Sequence, residues 1–351
     1  MAVPGLCHHA GDQEMKLYTD QGYLDLDYVL SKKCPFTLVI GGRGTGKTYG
    51  SICYALDHEK HIAFIRRTQT QIDLLSKPDL NPFQAVAYDR SIDVFTQPAS
   101  KQHSLIFVKR PEEEAHSIGF MAALSTFSNM RGFSSEQTEL LIYDEFIPET
   151  HERSINNEDT AFFNMYETIN RNREIKGRNP LQALLLSNSN FLASPILLAL
   201  GLADVLPAMR DKGQTEWINQ KRGIALFNLW NSPISQQKRD TALYHATAGS
   251  SFGQMALDND FALDDLRDVR PMSLNGCRLL ARIGKVYLYS YSQGWYVSLH
   301  GNGKPRREYE ITPEDVRRFK TENPQCWTRI MQRRIRYENF QCKNTLTGLY
   351  R

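Results

Sequence analysis

Between about Tyr23 and Asn228, short continuous apolar runs alternate with amphipathic stretches. Phe36-Thr37-Leu38-Val39-Ile40 ends in glycines, and His61–Ile65, Leu140–Tyr143 and Leu184–Leu186 follow. Runs this short and apolar on both faces predict buried parallel strands covered by helices. Tyr49–Asp57 predicts a helix, and Ser104–Lys109 a further strand. Glu112-Glu113-Glu114 reads as a solvated turn or a helix start, and the stretch between the second and third runs as a helix-rich insertion. The most apolar segment, Phe191–Leu206, contains Pro195, Gly201 and Asp204. It is shorter than the roughly 20 residues of a membrane span. It predicts a buried or subunit-facing helix with Ser194 as N-cap and Pro195 in the first turn.

Residues 229–270 are polar and helical in tendency. Beyond Pro271 the pattern becomes strand-like: Arg278–Ile283, Val286–Ser292 and Trp295–His300, separated by Gly284-Lys285 and Gln293-Gly294 and followed by Gly301-Asn302-Gly303. Thr312-Pro313-Glu314-Asp315 then starts a helix with Thr312 as its cap. The expected organisation is an α/β domain over 1–228, a helical linker over 229–270, and a small C-terminal α/β domain over 271–351.

Composition changes this picture in two places. The six cysteines form no C-x-x-C pair, which fits reduced thiols in a cytoplasm. Met1–Gly11 lacks the basic start and apolar run of a secretory leader. Cys7-His8-His9 has no partner cluster for a metal. Charge is unevenly spread: residues 276–351 hold 15 Lys+Arg against 6 Asp+Glu, while the rest of the chain is net acidic. A basic tail on an acidic body suggests a polyanionic partner, or else a solvated basic surface. Arg278, Arg282, Lys285, Arg333, Arg334 and Arg336 are the candidate DNA contacts there. Arg66 and Arg67, closing the second apolar run, are candidates for DNA-backbone or intersubunit contact.

The chemistry is concentrated in the first segment. Gly41-Gly42-Arg43-Gly44-Thr45-Gly46-Lys47-Thr48 matches G-x-x-x-x-G-K-[ST] between a predicted strand and a predicted helix. Glycines let backbone N–H groups turn onto phosphate oxygens, and the helix offers its positive N-terminus to the same anion. Lys47 is placed to reach the β and γ phosphates of ATP, and Thr48 to ligate Mg²⁺. Leu140–Tyr143 delivers Asp144 to the Mg²⁺ shell and Glu145 to the attacking water, the Walker B arrangement with a catalytic glutamate. Adjacent carboxylates at a buried strand end are costly without a cation. Leu184-Leu185-Leu186-Ser187-Asn188 ends in a polar pair, so Asn188 either faces the γ-phosphate or merely ends the strand. Arg43 reaches the phosphate in cis or points to solvent. Arg171, in Asn170-Arg171-Asn172-Arg173-Glu174, is an arginine-finger candidate, with a surface basic cluster as the alternative. The predicted fold class is an α/β ASCE P-loop NTPase with a mainly parallel central sheet.

In these segments the chain resembles the DNA-packaging ATPases of φ29-type tailed bacteriophages, from about Tyr23 to at least Asp264. The resemblance rests on Val39–Lys47, Asp144-Glu145-Phe146-Ile147, Arg171-Asn172-Arg173-Glu174, Leu186-Ser187-Asn188 and Phe252–Phe261. It implies a pentameric ring at the portal vertex of an empty procapsid in the host cytoplasm, driving double-stranded DNA inward with ATP. A structural packaging RNA as a further partner is also suggested. Arg171 then aligns with the family's trans-acting finger, and the C-terminal domain is expected to have an RNase H-like fold that has lost cleavage. The segment up to Gly22 has no clear counterpart. A terminase large subunit with nuclease activity is the nearest rival. Two-metal cleavage needs clustered carboxylates, yet residues 269–307 contain no Asp or Glu. A nucleotide-gated DNA-binding scaffold is a second rival, against which Glu145 and the finger candidate stand.

Overall fold

The computed structural model describes residues 16–130, 135–148, 155–188, 192–247 and 266–350. It divides into two compact units, one within Met1–Phe191 and Met209–Asp260, the other within Leu192–Ala208 and Phe261–Arg351. Leu192–Ala208, which the sequence reading assigned to the first domain, groups with the second unit, where Asp204 accepts the Phe340 N–H at 2.7 Å. No helix of the described residues is long and apolar enough to cross a membrane.

The first unit is built on nine strands: β1 (Phe36–Gly41), β2 (Ile62–Arg66), β3 (Asp93–Pro98), β4 (His103–Lys109), β5 (His116–Ala123), β6 (Leu140–Asp144), β7 (Gln182–Ser187), β8 (Glu216–Asn219) and β9 (Ile224–Leu229). Their order across the sheet is β3-β4-β5-β2-β6-β7-β1-β9-β8. The run from β5 to β9 is parallel, and β3, β4 and β8 are antiparallel additions at its edges. β7 thus lies between β1 and β6, in register Ile40↔Ser187 and Asp144↔Leu186. The helices of this unit are α1 (Leu26–Leu30), α2 (Lys47–Asp57), α3 (Gln69–Leu75), α4 (Gln84–Arg90), α5 (Glu158–Asn170), α8 (Pro233–Lys238) and α9 (Ala242–Ala246); α6 (Pro195–Ala199) falls in the second unit, and α7 (Val205–Asp211) begins there and ends in the first.

Alternation along each strand sorts the core. Val39, Phe64, Ile142, Leu186 and Phe227 share one face and pack with Ile52, Cys53 and Leu56 of α2. Tyr143 lies on the other face, where its ring stacks on Phe162 of α5.

Two expectations are revised. The insertion between β2 and β6 carries three strands as well as helices, because β3, β4 and β5 extend the sheet. Of the two readings of Glu112–Glu114, the exposed turn is the one found. The apolar 191–206 stretch is two short helices, α6 and α7, broken at Gly201, whose φ of +64° ends the first. Ser194 precedes Pro195 at the cap position but makes no capping hydrogen bond.

The second unit carries β10 (Arg278–Ile283), β11 (Val286–Tyr291), β12 (Gly294–Ser298), β13 (Arg307–Tyr309) and β14 (Ile335–Tyr337) in the order β13-β10-β11-β12-β14. β10 to β12 form an antiparallel meander. β13 joins β10 in parallel, and β14 joins β12 in parallel on the opposite edge. Helices Pro313–Glu322, Gln325–Met331 and Phe340–Gly348 contribute Phe319, Cys326, Cys342 and Leu346 to the core of this sheet. Thr312 Oγ1 accepts from the Asp315 N–H at 3.2 Å, so the predicted cap is formed.

Candidate functional site

β1 ends at Gly41 and runs directly into the loop that opens α2. A Cβ at Gly41 would sit 2.6 Å from Leu229 Cβ, so only glycine lets β9 close on this strand end. Gly44 and Gly46 take φ of +74° and +89°, the left-handed values that turn the loop back on itself. The Lys47 ammonium is buried and donates to the carbonyls of Gly41 and Gly42, both at 2.8 Å, and to Thr45 Oγ1 at 3.1 Å. All its bonds are to the loop itself. Burial pushes Lys47 down to about 7; Asp144 and Glu145 oppose this, while Lys238 and Arg43 add to it.

Thr48 follows on the first turn of α2, and its hydroxyl donates to Asp144 Oδ2 at 3.0 Å. A loop hydroxyl and a strand-end carboxylate meeting at that distance form a hard-oxygen pair suited to Mg²⁺. Asn188 follows the end of β7 and is half-buried.

The end of β2 explains two arginines that look alike in the sequence. Arg66 points to the α2 side, as its neighbour Phe64 does, and its guanidinium bonds Asp144 Oδ2 at 2.8 Å and also Glu145 Oε2. A regular strand would send Glu145 to the opposite face from Asp144. Glu145 instead adopts φ +59°, ending β6 and bringing its carboxylate to the same guanidinium. Arg67 points the other way. Its Nε donates to Glu158 Oε1 at 2.8 Å and its NH2 to Oε2 at 3.0 Å, while Tyr143 donates to Oε1 at 3.0 Å. Both charged side chains are 1% exposed. Arg67 is therefore not a DNA contact: it is a buried brace between β2 and α5. Arg66 is likewise engaged, by the carboxylates of Asp144 and Glu145.

Arg171 caps the C-terminus of α5 with φ +43° and is half-buried. Asn170 beside it accepts the Leu181 N–H at 2.9 Å, immediately before β7. Arg171 thus lies at the end of the parallel sheet opposite the Gly41–Thr48 loop, about 20 Å away along a six-residue strand. Arg173 is buried and donates to the carbonyls of Glu136, at 3.1 Å, and Thr138. A cavity of about 710 Å³ opens at this end, lined by Lys60, Glu139, Arg173 and Arg178 among others. It is remote from the phosphate loop.

In the second unit, Arg278, Arg333, Arg334 and Arg336 are exposed, and register places them at one end of the sheet, where β10, β12 and β14 begin. Lys285 is exposed in the β10–β11 turn, at the other end. Arg282 pairs with Glu308 at 2.7 Å and Glu310 at 3.2 Å. Its weight as a DNA contact is reduced, because the two carboxylates beyond the acid-free span neutralise it. Sequence reasoning missed Lys238, whose amine donates to the Arg43 carbonyl. Nothing local marks a lysine 195 positions away in the chain. Cys7-His8-His9 and Phe252–Phe261 lie outside the described residues.

Comparison with known proteins gives a consistent result. Residues 19–276 match the family model for the podovirus DNA encapsidation protein (Gp16). The DNA packaging protein of Bacillus phage phi29 is 24% identical over 257 residues, covering 70% of this chain and 66% of the relative, just under two thirds of its length. That of Bacillus phage B103 is 23% identical over 288 residues, covering 79% and 82%. Among solved structures, the chain is similar to the bacteriophage phi-29 viral genome packaging motor assembly, with a TM-score of 0.66 at 18% identity, covering 94% of this chain and 98% of the other.

Proposed function

Because this chain belongs to the podovirus DNA encapsidation protein (Gp16) family, we propose that it is the ATP-hydrolysing subunit of a motor that drives double-stranded DNA into a procapsid. The observation that carries the proposal is the meeting of Lys47, Thr48 and Asp144 at the end of β1, with Glu145 adjoining. The strand interposed between β1 and β6 is the arrangement of the ASCE class and supports that assignment. Gly41, Gly42, Arg43, Gly44, Thr45 and Gly46 offer backbone N–H groups to the phosphates, and Lys47 moves from the loop carbonyls onto them. Thr48 and Asp144 would hold Mg²⁺, which would supply positive charge against the phosphate oxygens. Glu145 orients and deprotonates the attacking water, and Arg66 sets where its carboxylate points. Asn188 faces the terminal phosphate.

Arg171 serves a neighbouring subunit, because its own phosphate loop is at the far end of the sheet. That need for a neighbour supports a ring, for which the family suggests five subunits. The portal vertex of a procapsid in the host cytoplasm is the site of action, with a packaging RNA as a further partner. The second unit grips DNA through its basic end. Its first four strands fit a degenerate RNase H reading, while β14, on the edge opposite β13, departs from it. The strands β10 to β12 carry no carboxylate, which supports packaging without cleavage.

The deciding experiment is phosphate release by the purified protein with portal-bearing empty procapsids, with and without DNA. DNA-stimulated, Lys47-dependent turnover with nuclease-protected DNA is expected. Turnover indifferent to DNA and procapsid would refute the motor reading.

A further inference from the structure

Lys238 is the last residue of α8, and its amine reaches the rim of the phosphate loop, where it donates to the Arg43 carbonyl. A Cβ at Gly44 would lie against this amine, so Lys238 rests directly on the loop's left-handed turn. Two ammonium groups from different elements therefore converge on one short loop, and both are bonded to the loop's own oxygens.

Like charges brought together are unfavourable unless an anion lies between them. A neutral carbonyl is also a weaker partner for an ammonium than a phosphate oxygen is. We propose that Lys238 is a second lysine of the nucleotide site, which leaves the Arg43 carbonyl and donates to the terminal phosphates of bound ATP. The inference rests on the nucleotide-binding reading of the Gly41–Thr48 loop. It adds a contact from outside the motif, on the helix that follows β9.

The test is equilibrium binding of a fluorescent ATP analogue with Mg²⁺ to the full chain, comparing wild type, Lys47→Ala, Lys238→Ala, Lys238→Gln and Lys238→Arg. A charge-assisted phosphate contact predicts a loss of about tenfold or more for Lys238→Ala. Lys238→Arg should recover most of that loss, and Lys238→Gln should not, because the phosphate demands a positive charge. If Lys238 only braces the loop, Gln can still donate to the Arg43 carbonyl, and its recovery of wild-type affinity would overturn the proposal. Lys238→Ala binding like wild type while Lys47→Ala does not bind would also overturn it, leaving the nucleotide site intact. Failure of wild type itself to bind would instead refute the reading beneath it. Should Lys238→Ala fail to fold, the comparison of Gln with Arg still decides.

Discussion

Arg66 and Arg67 are adjacent and chemically identical, yet strand alternation gives them separate tasks. Arg67, Glu158 and Tyr143 form a buried, bidentate, fully bonded set. Removing one charge leaves the other buried and unpaired, at a cost of about 3–5 kcal/mol. Arg67→Met should lower the urea midpoint accordingly, and Arg67→Met with Glu158→Leu should recover part of the loss. A shift indistinguishable from that of a surface arginine would contradict the brace. Arg66 instead holds the carboxylates of Asp144 and Glu145. Lys47→Ala should abolish ATP binding, while Glu145→Gln and Arg66→Ala should each bind ATP and turn it over at least about tenfold more slowly, Arg66 through the position of Glu145. Near-normal phosphate release by Glu145→Gln would remove it as the base.

At the scale of elements, the turn from α5 into β7 separates two arginines that the sequence presents as equivalent. Arg173 fastens this turn to the carbonyls of Glu136 and Thr138, so Arg173→Ala should lower the melting temperature. Arg171→Ala should keep ATP affinity, while DNA-stimulated turnover falls by as much as about 10³-fold. Mixing Arg171→Ala with Lys47→Ala subunits should restore some activity, since an intact site then meets an intact finger at one kind of junction. Mixed rings without rescue at any ratio would place the stabilising arginine elsewhere.

For the whole molecule, a motor that grips any sequence should hold DNA through phosphates, with affinity falling steeply in salt. Arg278→Ala, Arg334→Ala and Arg336→Ala combined should make the log-salt slope shallower by roughly 0.9 for each phosphate that is no longer neutralised. Arg282→Ala, whose charge is already met by Glu308 and Glu310, should change the slope less. An unchanged slope in the triple variant would move the DNA grip away from this end of the second unit. The purified protein should not cut DNA with Mg²⁺ or Mn²⁺. Cleavage that disappears on mutating a second-unit carboxylate such as Glu338 would refute that.

Local pattern along the chain encodes much of this fold. The buried strands appear as apolar runs, and the phosphate loop appears as glycines at fixed spacing between a strand and a helix. Asp144-Glu145 at a strand end is equally local, and so is the Thr312 cap. The broken helix at Gly201 and the strands of the 67–139 insertion were harder to read. There, edge strands of mixed polarity and a single left-handed glycine give little periodic signal. Which partner each charge meets is instead set by the folded arrangement. It paired Arg66 with Asp144 and Glu145, hid Arg67 against Glu158, set Arg171 at the far end of the sheet, and brought Lys238 to Arg43. These outcomes depend on register and on partners distant in the chain. A side chain's charge is fixed by its residue type, but whether that charge meets water, a carboxylate or a loop carbonyl is fixed by the packing around it.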